Sequence, residues 1–267
     1  MLQGEFFQNP GSAGASGFYS YQIEQSMRFD YLGTNSGTYL TRTPSSAGNR
    51  RTYTISMWVK RASFSNLNQL ISAQVTSTTN YVDNYNFRPD SENAQLNVAF
   101  KGSLDGRVQS TAIFRDLTGW MHIVIRVDTT QSTASDRARI YVNGSQITDL
   151  SQNTYPSQDY EGGFGSTREH AVGWGTGGNN GYPFDGYMAE VILADGQSYA
   201  PTQFGETKNG VWIPKDPSGT SFGTTGFHLK FQNASALGDD SSGNNNDFSV
   251  TNAGADHQVL DSPTFGS

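Results

Sequence analysis

The chain has 267 residues, of which 34% are hydrophobic and 15% charged, yet 12% are aromatic and 30 are glycine. Its length and its wealth of aromatic, Gly, Ser, Thr and Asn residues favour one large, turn-rich all-β domain over helices or disorder. A net charge of −7, with no basic cluster beyond Arg50-Arg51 and Lys60-Arg61, argues against nucleic acid as a partner, and the absence of cysteine excludes disulfides, thiolate metal sites and a cysteine nucleophile.

Residues 1–26 are expected to form an N-terminal arm. Gly11 to Gly17 is small and flexible in composition. Phe6, Phe7, Phe18, Tyr19 and Tyr21 are too aromatic for a wholly solvated tail, so the choice is between a mobile leader and a segment that buries these rings against a partner subunit. The arm lacks a basic n-region followed by an apolar core, and no stretch could span a bilayer. Synthesis and folding in a cytoplasm are therefore expected.

A first strand pair is expected from Ser26–Asp30 and Gly37–Arg42, with Asn35-Ser36-Gly37 as the turn. Thr52–Lys60 alternates Tyr53, Ile55, Met57 and Val59 on an inward face against Thr54, Ser56, Trp58 and Lys60. Leu67–Gln74, Tyr85–Pro89 and Gln95–Phe100 read as shorter strands. Gly119–Asp128 alternates strongly, and its partner Ala138–Val142 ends in Asn143-Gly144, a strong hairpin signal. Phe184–Gly196 opens on Asp185-Gly186 and is apolar on both faces, as a central strand covered on both sides would be. Simple alternation puts Met188, Glu190 and Ile192 on one face and Tyr187, Ala189, Val191 and Leu193 on the other. The one helical signal is a turn near Pro201–Glu206, entered through Ala200.

Four of these runs resemble, in order, the strands of laminin-G-like and pentraxin-like jelly rolls of the concanavalin A-like lectin and glucanase superfamily: Tyr53–Lys60, Trp120–Val124, Ile140–Gly144 and Phe184–Val191. The resemblance implies an antiparallel two-sheet jelly-roll sandwich over 27–250, with 251–267 as a C-terminal extension. Later runs are similar to virion structural proteins of tailed bacteriophages, especially those of marine cyanobacteria and related hosts. These are Pro201–Glu206, Gly210–Lys215, Gly226–Phe231, Asp240–Phe248 and Val259–Pro263.

Enzymes of this superfamily carry E-x-D-x-x-E on one strand, and retaining hydrolysis needs two carboxyls about 5 Å apart. No glutamate here stands in that spacing, and Glu190 reads as a structural residue of its sheet. His122, His170, His228 and His257 never fall at metal-ligand spacing, and a serine hydrolase of the nucleophile-elbow type is not expected. Calcium is the cofactor to consider, since many relatives hold it at the rim. Yet Asp239–Asp247 has its glycine at the wrong offset for an EF-hand loop and reads better as Asx-turn chemistry. Asp83, Asp90 and Asp159 could lie at the rim, but no spacing singles them out.

Saccharides are held by aromatic faces and by side chains that fork to hydroxyls. Two stretches have that chemistry: 81–88, with Tyr81, Asp83, Tyr85 and Arg88, and 174–182, with Trp174, Asn179, Asn180 and Tyr182. The competing reading is that both are ordinary sandwich segments with Phe87 and Trp174 packed inward. The resemblance implies a non-enzymatic virion structural protein (capsid decoration, fibre or tail appendage) anchored through its arm. Its partners would be other virion proteins, further copies of itself and, in an adhesin, host-surface polysaccharide. A glycoside hydrolase is the more distant alternative.

Overall fold

The computed structural model describes residues 18–33, 35–64, 67–76, 81–89, 91, 94–176 and 182–265. In chain order the first strands are β1 (Ser26–Phe29), β2 (Tyr31–Gly33), β3 (Ser36–Gly37), β4 (Tyr39–Arg42), β5 (Thr52–Arg61), β6 (Asn68–Gln74) and β7 (Val82–Phe87). Then come β8 (Gln95–Phe100), β9 (Gly106–Ile113), β10 (Met121–Asp128), β11 (Ala138–Val142), β12 (Ser145–Gln146), β13 (Leu150–Thr154) and β14 (His170–Val172). The last are β15 (Gly186–Asp195), β16 (Gly205–Lys208), β17 (Val211–Pro214), β18 (Phe227–Leu229), β19 (Ser249–Thr251) and β20 (Gln258–Val259). Pro201–Gln203 is a 3-10 turn with proline in its first turn, as the sequence suggested. Among the described residues no helix is long and apolar enough to cross a membrane.

Two eight-stranded antiparallel sheets form a jelly-roll sandwich. The first runs β12-β11-β10-β5-β15-β1-β20, with β18 also paired to β15; the second runs β13-β9-β8-β7-β6-β14-β4-β19. Alternation sends Tyr53, Ile55, Met57 and Val59 of β5 and Met121, Ile123, Ile125 and Val127 of β10 into one core. Leu40, Leu70, Tyr85, Phe87, Leu96, Val98 and Phe100 of the second sheet meet them there. Each fully buried Leu, Ile, Val or Phe adds about 1.5–3 kcal/mol relative to exposure. At the centre the Tyr53 and Tyr85 hydroxyls bond at 2.5 Å, and Phe164 lies 5.4 Å from the first ring and 5.2 Å from the second.

Three expectations are corrected. β1 does not pair with the strand after it: it lies between β15 and β20 in the first sheet, while β4 belongs to the second. β15 does not alternate cleanly, because its register against β5 shifts between Ala189 and Ile192 and Glu190 has a φ of 50°. The bulge flips the parity, so Met188, Val191 and Leu193 face the core and Ile192 faces out. The segment after residue 250 is part of the sandwich, since β20 pairs with β1 and the Ser262 and Thr264 hydroxyls bond the Ile23 carbonyl.

The outer face of the first sheet is covered by a third layer drawn from the C-terminal third and from residues 18–25. Val124, Tyr141 and Ile192 pack on Phe204 with Tyr199 and Phe222; Trp58 and Ala189 pack on Ile23, Tyr21 and Trp212. His122 stacks on Trp58 at 4.8 Å and on Trp212 at 6.0 Å. Trp212 Nε1–H donates to His122 Nδ1 at 3.0 Å, which leaves Nε2–H to donate to Ser56 Oγ at 2.8 Å. Trp212 needs glycine on both sides: a Cβ on Gly144 or Gly205 would come within 2.3 or 2.5 Å of its ring.

Candidate functional site

The outer face of the second sheet has a different surface. Cα partners run straight across five strands through Gln152, Gln109, Asn97, Asn86 and Gln69, of β13, β9, β8, β7 and β6. At 4.7–4.9 Å between strands, this amide row spans roughly 19 Å. Beside it runs a second row of Thr41, Ala171, Ser72, Asn84, Ala99, Arg107 and Thr154, small or polar throughout. The three register shifts of this sheet all fall next to the amide row, at Gln69/Ile71, Gln95/Asn97 and Leu150/Gln152. Bulges re-aim side chains and recur beside binding sites.

The amides bond to one another. Asn86 Nδ2 donates to Gln69 Oε1 at 3.4 Å and to Asn84 Oδ1 at 2.9 Å, and Asn97 Nδ2 donates to Asn86 Oδ1 at 3.4 Å. Gln109 Nε2 donates to Gln95 Oε1 at 2.6 Å. Asn97 is 1% exposed, and its Oδ1 has no hydrogen-bond partner among the described residues. Gln69 and Asn86 are also buried, Gln109 is half-buried and Gln152 is exposed. Each amide offers both donors and an acceptor, the pattern that vicinal sugar hydroxyls require.

Both stretches singled out in the sequence border β6, the strand that carries Gln69 and Ser72. Ser72 donates its hydroxyl to the Trp174 carbonyl and accepts from the Thr176 N–H, at 2.8 and 2.9 Å. The Gln69 N–H donates to the Tyr182 carbonyl at 3.3 Å. Trp174 is half-buried, stacked on Tyr39 at 4.5 Å, and Tyr182 is 40% exposed. Tyr81 lies beneath the Lys101 ammonium, 5.0 Å away, and Arg88 is half-buried next to Gln95. Asn179 and Asn180 lie outside the described residues, as do Phe6, Phe7 and Asp90.

Two candidates are corrected, because 81–88 is largely a strand and alternation turns them inward. Tyr85 is fully buried in the core. Asp83 is fully buried as well, accepting from the Lys101 N–H (2.9 Å), the Gly163 N–H (2.7 Å) and the Tyr160 hydroxyl (2.7 Å). Burial pushes its carboxyl up to about 6, the three donors and Arg50 opposing the shift. It ties three chain segments together. The residues of β7 that do face outward are Asn84 and Asn86. Sequence reasoning missed Gln69, Asn97, Gln109 and Gln152; the signal was the polar half of the alternation in Gln95–Phe100, set against its apolar half.

Of the arm residues, Tyr21 is engaged within its own chain, where its hydroxyl donates to Glu190 Oε1 at 3.0 Å. Burial and the Glu190 carboxylate hold that phenol protonated, well above its usual range. Phe18 and Tyr19 pack edge to face at 5.1 Å. In 239–247 the Asp240 carboxylate accepts from the His228, Ser242 and Asn246 N–H groups and the Ser242 hydroxyl, which is Asx-turn chemistry. Asp159 lies at the surface, paired with Arg51. Among the described residues no three His, Cys, Asp or Glu side chains converge to hold a metal ion.

A sandwich with one face buried and an amide-lined face opposite is a lectin-like jelly roll. The family model described as the Concanavalin A-like lectin/glucanases superfamily (Laminin_G_3) matches residues 32–197, and the chain belongs to this family. No curated protein matches it. Among solved structures it is similar to domain 4 of AbnA, a GH43 extracellular arabinanase from Geobacillus stearothermophilus, in complex with arabinotriose. There the identity is 14%, 70% of this chain and 77% of that chain are covered, and the TM-score is 0.46. It is also similar to the heptameric SAP-like pentraxin from Limulus polyphemus, at 14% identity, 65% and 77% coverage and a TM-score of 0.44. A third likeness is to the enzymatically active domain of bacteriophage CBA120 tailspike protein 2, at 11% identity, with 65% of this chain and 25% of that chain covered and a TM-score of 0.38.

Proposed function

We propose that this chain is a non-enzymatic structural protein of a bacteriophage particle that holds host-surface polysaccharide on the outer face of its second sheet. The amide row carries the reading. Its accessible end at Gln109 and Gln152 offers uncharged donors and acceptors that suit a neutral saccharide, and Trp174 with Tyr39 and Tyr182 supplies aromatic surface on the same sheet. The particle context is supported by a division within the chain. The family match ends at residue 197, and the runs that resemble virion proteins lie beyond it, in and around the third layer. The non-enzymatic reading is supported by Glu190 and Asp83, whose oxygens are committed to internal donors.

A glycan array built from host-envelope polysaccharides tests the reading, using the intact chain and a form lacking residues 1–17. Specific binding by both forms, weakened by Trp174→Ala and by Gln109→Ala, is expected. Binding that survives both substitutions unchanged would move the site elsewhere. No binding by either form, together with particle assembly that fails without the arm, would leave a purely structural component.

A further inference from the structure

The bulge in β15 turns Glu190 towards a cluster that the amide face does not use. A non-glycine residue at a φ of 50° inside a strand is strained, and such strain persists where the surroundings enforce it, often at binding sites. The buried Glu190 carboxylate accepts the Tyr21 hydroxyl at 3.0 Å through Oε1 and bonds His228 Nε2 through Oε2. A carboxylate only accepts, so Nε2 carries the proton of the neutral ring and Nδ1 is left as an acceptor. His228 is 5% exposed, and Phe222 stacks on its ring at 5.8 Å and fixes its plane. Its Nδ1 has no hydrogen-bond partner among the described residues.

Beside His228 lies a cavity of about 210 Å³, also bordered by Tyr21, Asp216, Ser218, Phe222 and Lys230. A cavity of about 150 Å³ takes up a benzene ring, so this is room for one six-membered ring. Asp216 is exposed at the rim, where its Oδ1 accepts the Ser218 N–H at 2.9 Å and its Oδ2 has no partner among the described residues. Lys230 is half-buried, its ammonium 6.0 Å from the centre of the Tyr21 ring. The wall thus holds two acceptors, Asp216 Oδ2 and His228 Nδ1, and one cationic donor, Lys230. A carboxylate has no proton for either acceptor, and an ammonium has no lone pair for Lys230. A hydroxyl has both.

We propose that this cavity is a second sugar site and takes one uncharged pyranose unit. Ring hydroxyls donate to His228 Nδ1 and Asp216 Oδ2 and accept from Lys230. The Asp216 carboxylate stands against the Lys230 ammonium and Glu190 lies behind His228, so the wall offers an acidic unit no net positive charge. The site lies on the opposite side of the sandwich from the amide row and does not depend on that row binding anything.

The test is calorimetric titration of the intact chain with the methyl glycosides of glucose, galactose and mannose, and with glucuronate and glucosamine, alongside nitrogen NMR of the imidazoles. In the free protein His228 Nδ1 should give the signal of an unprotonated ring nitrogen. On binding, that signal should move upfield while those of His122 and His170 stay. The best neutral glycoside should bind at least about fivefold more tightly than either charged sugar, the worth of about one hydrogen bond. Lys230→Met should weaken it by about the same factor, and Gln109→Ala should leave it untouched. A protonated Nδ1 in the free protein, a silent His228, a charged sugar bound as tightly, full affinity in Lys230→Met, or no saturable heat with any of the three glycosides at millimolar concentration would each overturn the proposal.

Discussion

The two outer faces of the sandwich are built by strands of the same grammar and meet opposite fates. On the first sheet the outward positions are Trp58, His122, Val124, Tyr141 and Ile192, and a third layer folds over them. On the second, the outward positions are Gln69, Asn86, Asn97, Gln109 and Gln152, and they bond sideways along their own row. Inward residues are apolar on both sheets, so they explain the sandwich but not this asymmetry. The outward half of each alternation decides whether a face is covered by an apolar layer from the chain's own tail or closes into a polar hydrogen-bonded row that opens to the surface at Gln109 and Gln152.

If that contrast is right, the largest stability losses should come from the covered face. Trp212→Ala removes a ring wedged between Gly144 and Gly205 and strips His122 of its donor. We expect a loss of about 4 kcal/mol, read as a fall in the urea midpoint at unchanged slope. Asp83→Ala, within the second sheet's core edge, should cost about 2–3 kcal/mol. It orphans two buried N–H groups, but it also relieves a buried carboxylate that resists ionisation.

A pH series separates buried histidines from that carboxylate. Burial lowers His122 to about 3, and burial, with Arg42 adding to it, lowers His170 to about 4. Both donate or accept within the fold as neutral rings: His170 Nδ1–H gives to the Arg168 carbonyl, and Nε2 takes the Gly165 N–H. Their contribution is present above about 6.5 and is lost as pH falls towards 4. Asp83 acts oppositely, contributing below about 4 and losing that contribution as pH rises through about 6. Between pH 4 and 6 the unfolded chain therefore holds two protons the fold lacks and lacks one the fold holds. Stability should rise by about 1.4 kcal/mol per pH unit in that window, and the slope should roughly double in Asp83→Asn. A flat or falling profile would contradict the assignment.

The smallest effect belongs to the accessible end of the amide row. Gln109→Ala should change unfolding free energy by less than about 0.5 kcal/mol while lowering saccharide affinity by roughly fivefold, the worth of about one hydrogen bond. A stability loss as large as that of Trp212→Ala would mean that the amide row is structural, and the contrast between the faces would fail.

Much of the sandwich was legible residue by residue. Thr52–Lys60, Gln95–Phe100, Gly119–Asp128 and Ala138–Val142 became β5, β8, β10 and β11 within a residue or two, with the inward set as read. β9, β13 and the short C-terminal strands were missed because their apolar halves are thin: Gly106–Ile113 buries Val108 but exposes Thr111 to Ile113. At the candidate face the sequence pointed to the right stretches and partly the wrong residues. Aromatic and acidic side chains drew attention to Tyr85 and Asp83, while the strand parity of β7 turned both inward and left Asn84 and Asn86 outside.

Composition and period-2 patterning by themselves determined an all-β sandwich without cysteine chemistry, because alternation and residue type act locally on each strand. Tertiary structure alone decided the rest. One bulge at Glu190 reversed the parity of β15, an inter-strand register aligned five amides that lie far apart in sequence, and a distant tryptophan closed over His122. Register and closure depend on which strands become neighbours, and no single strand carries that information.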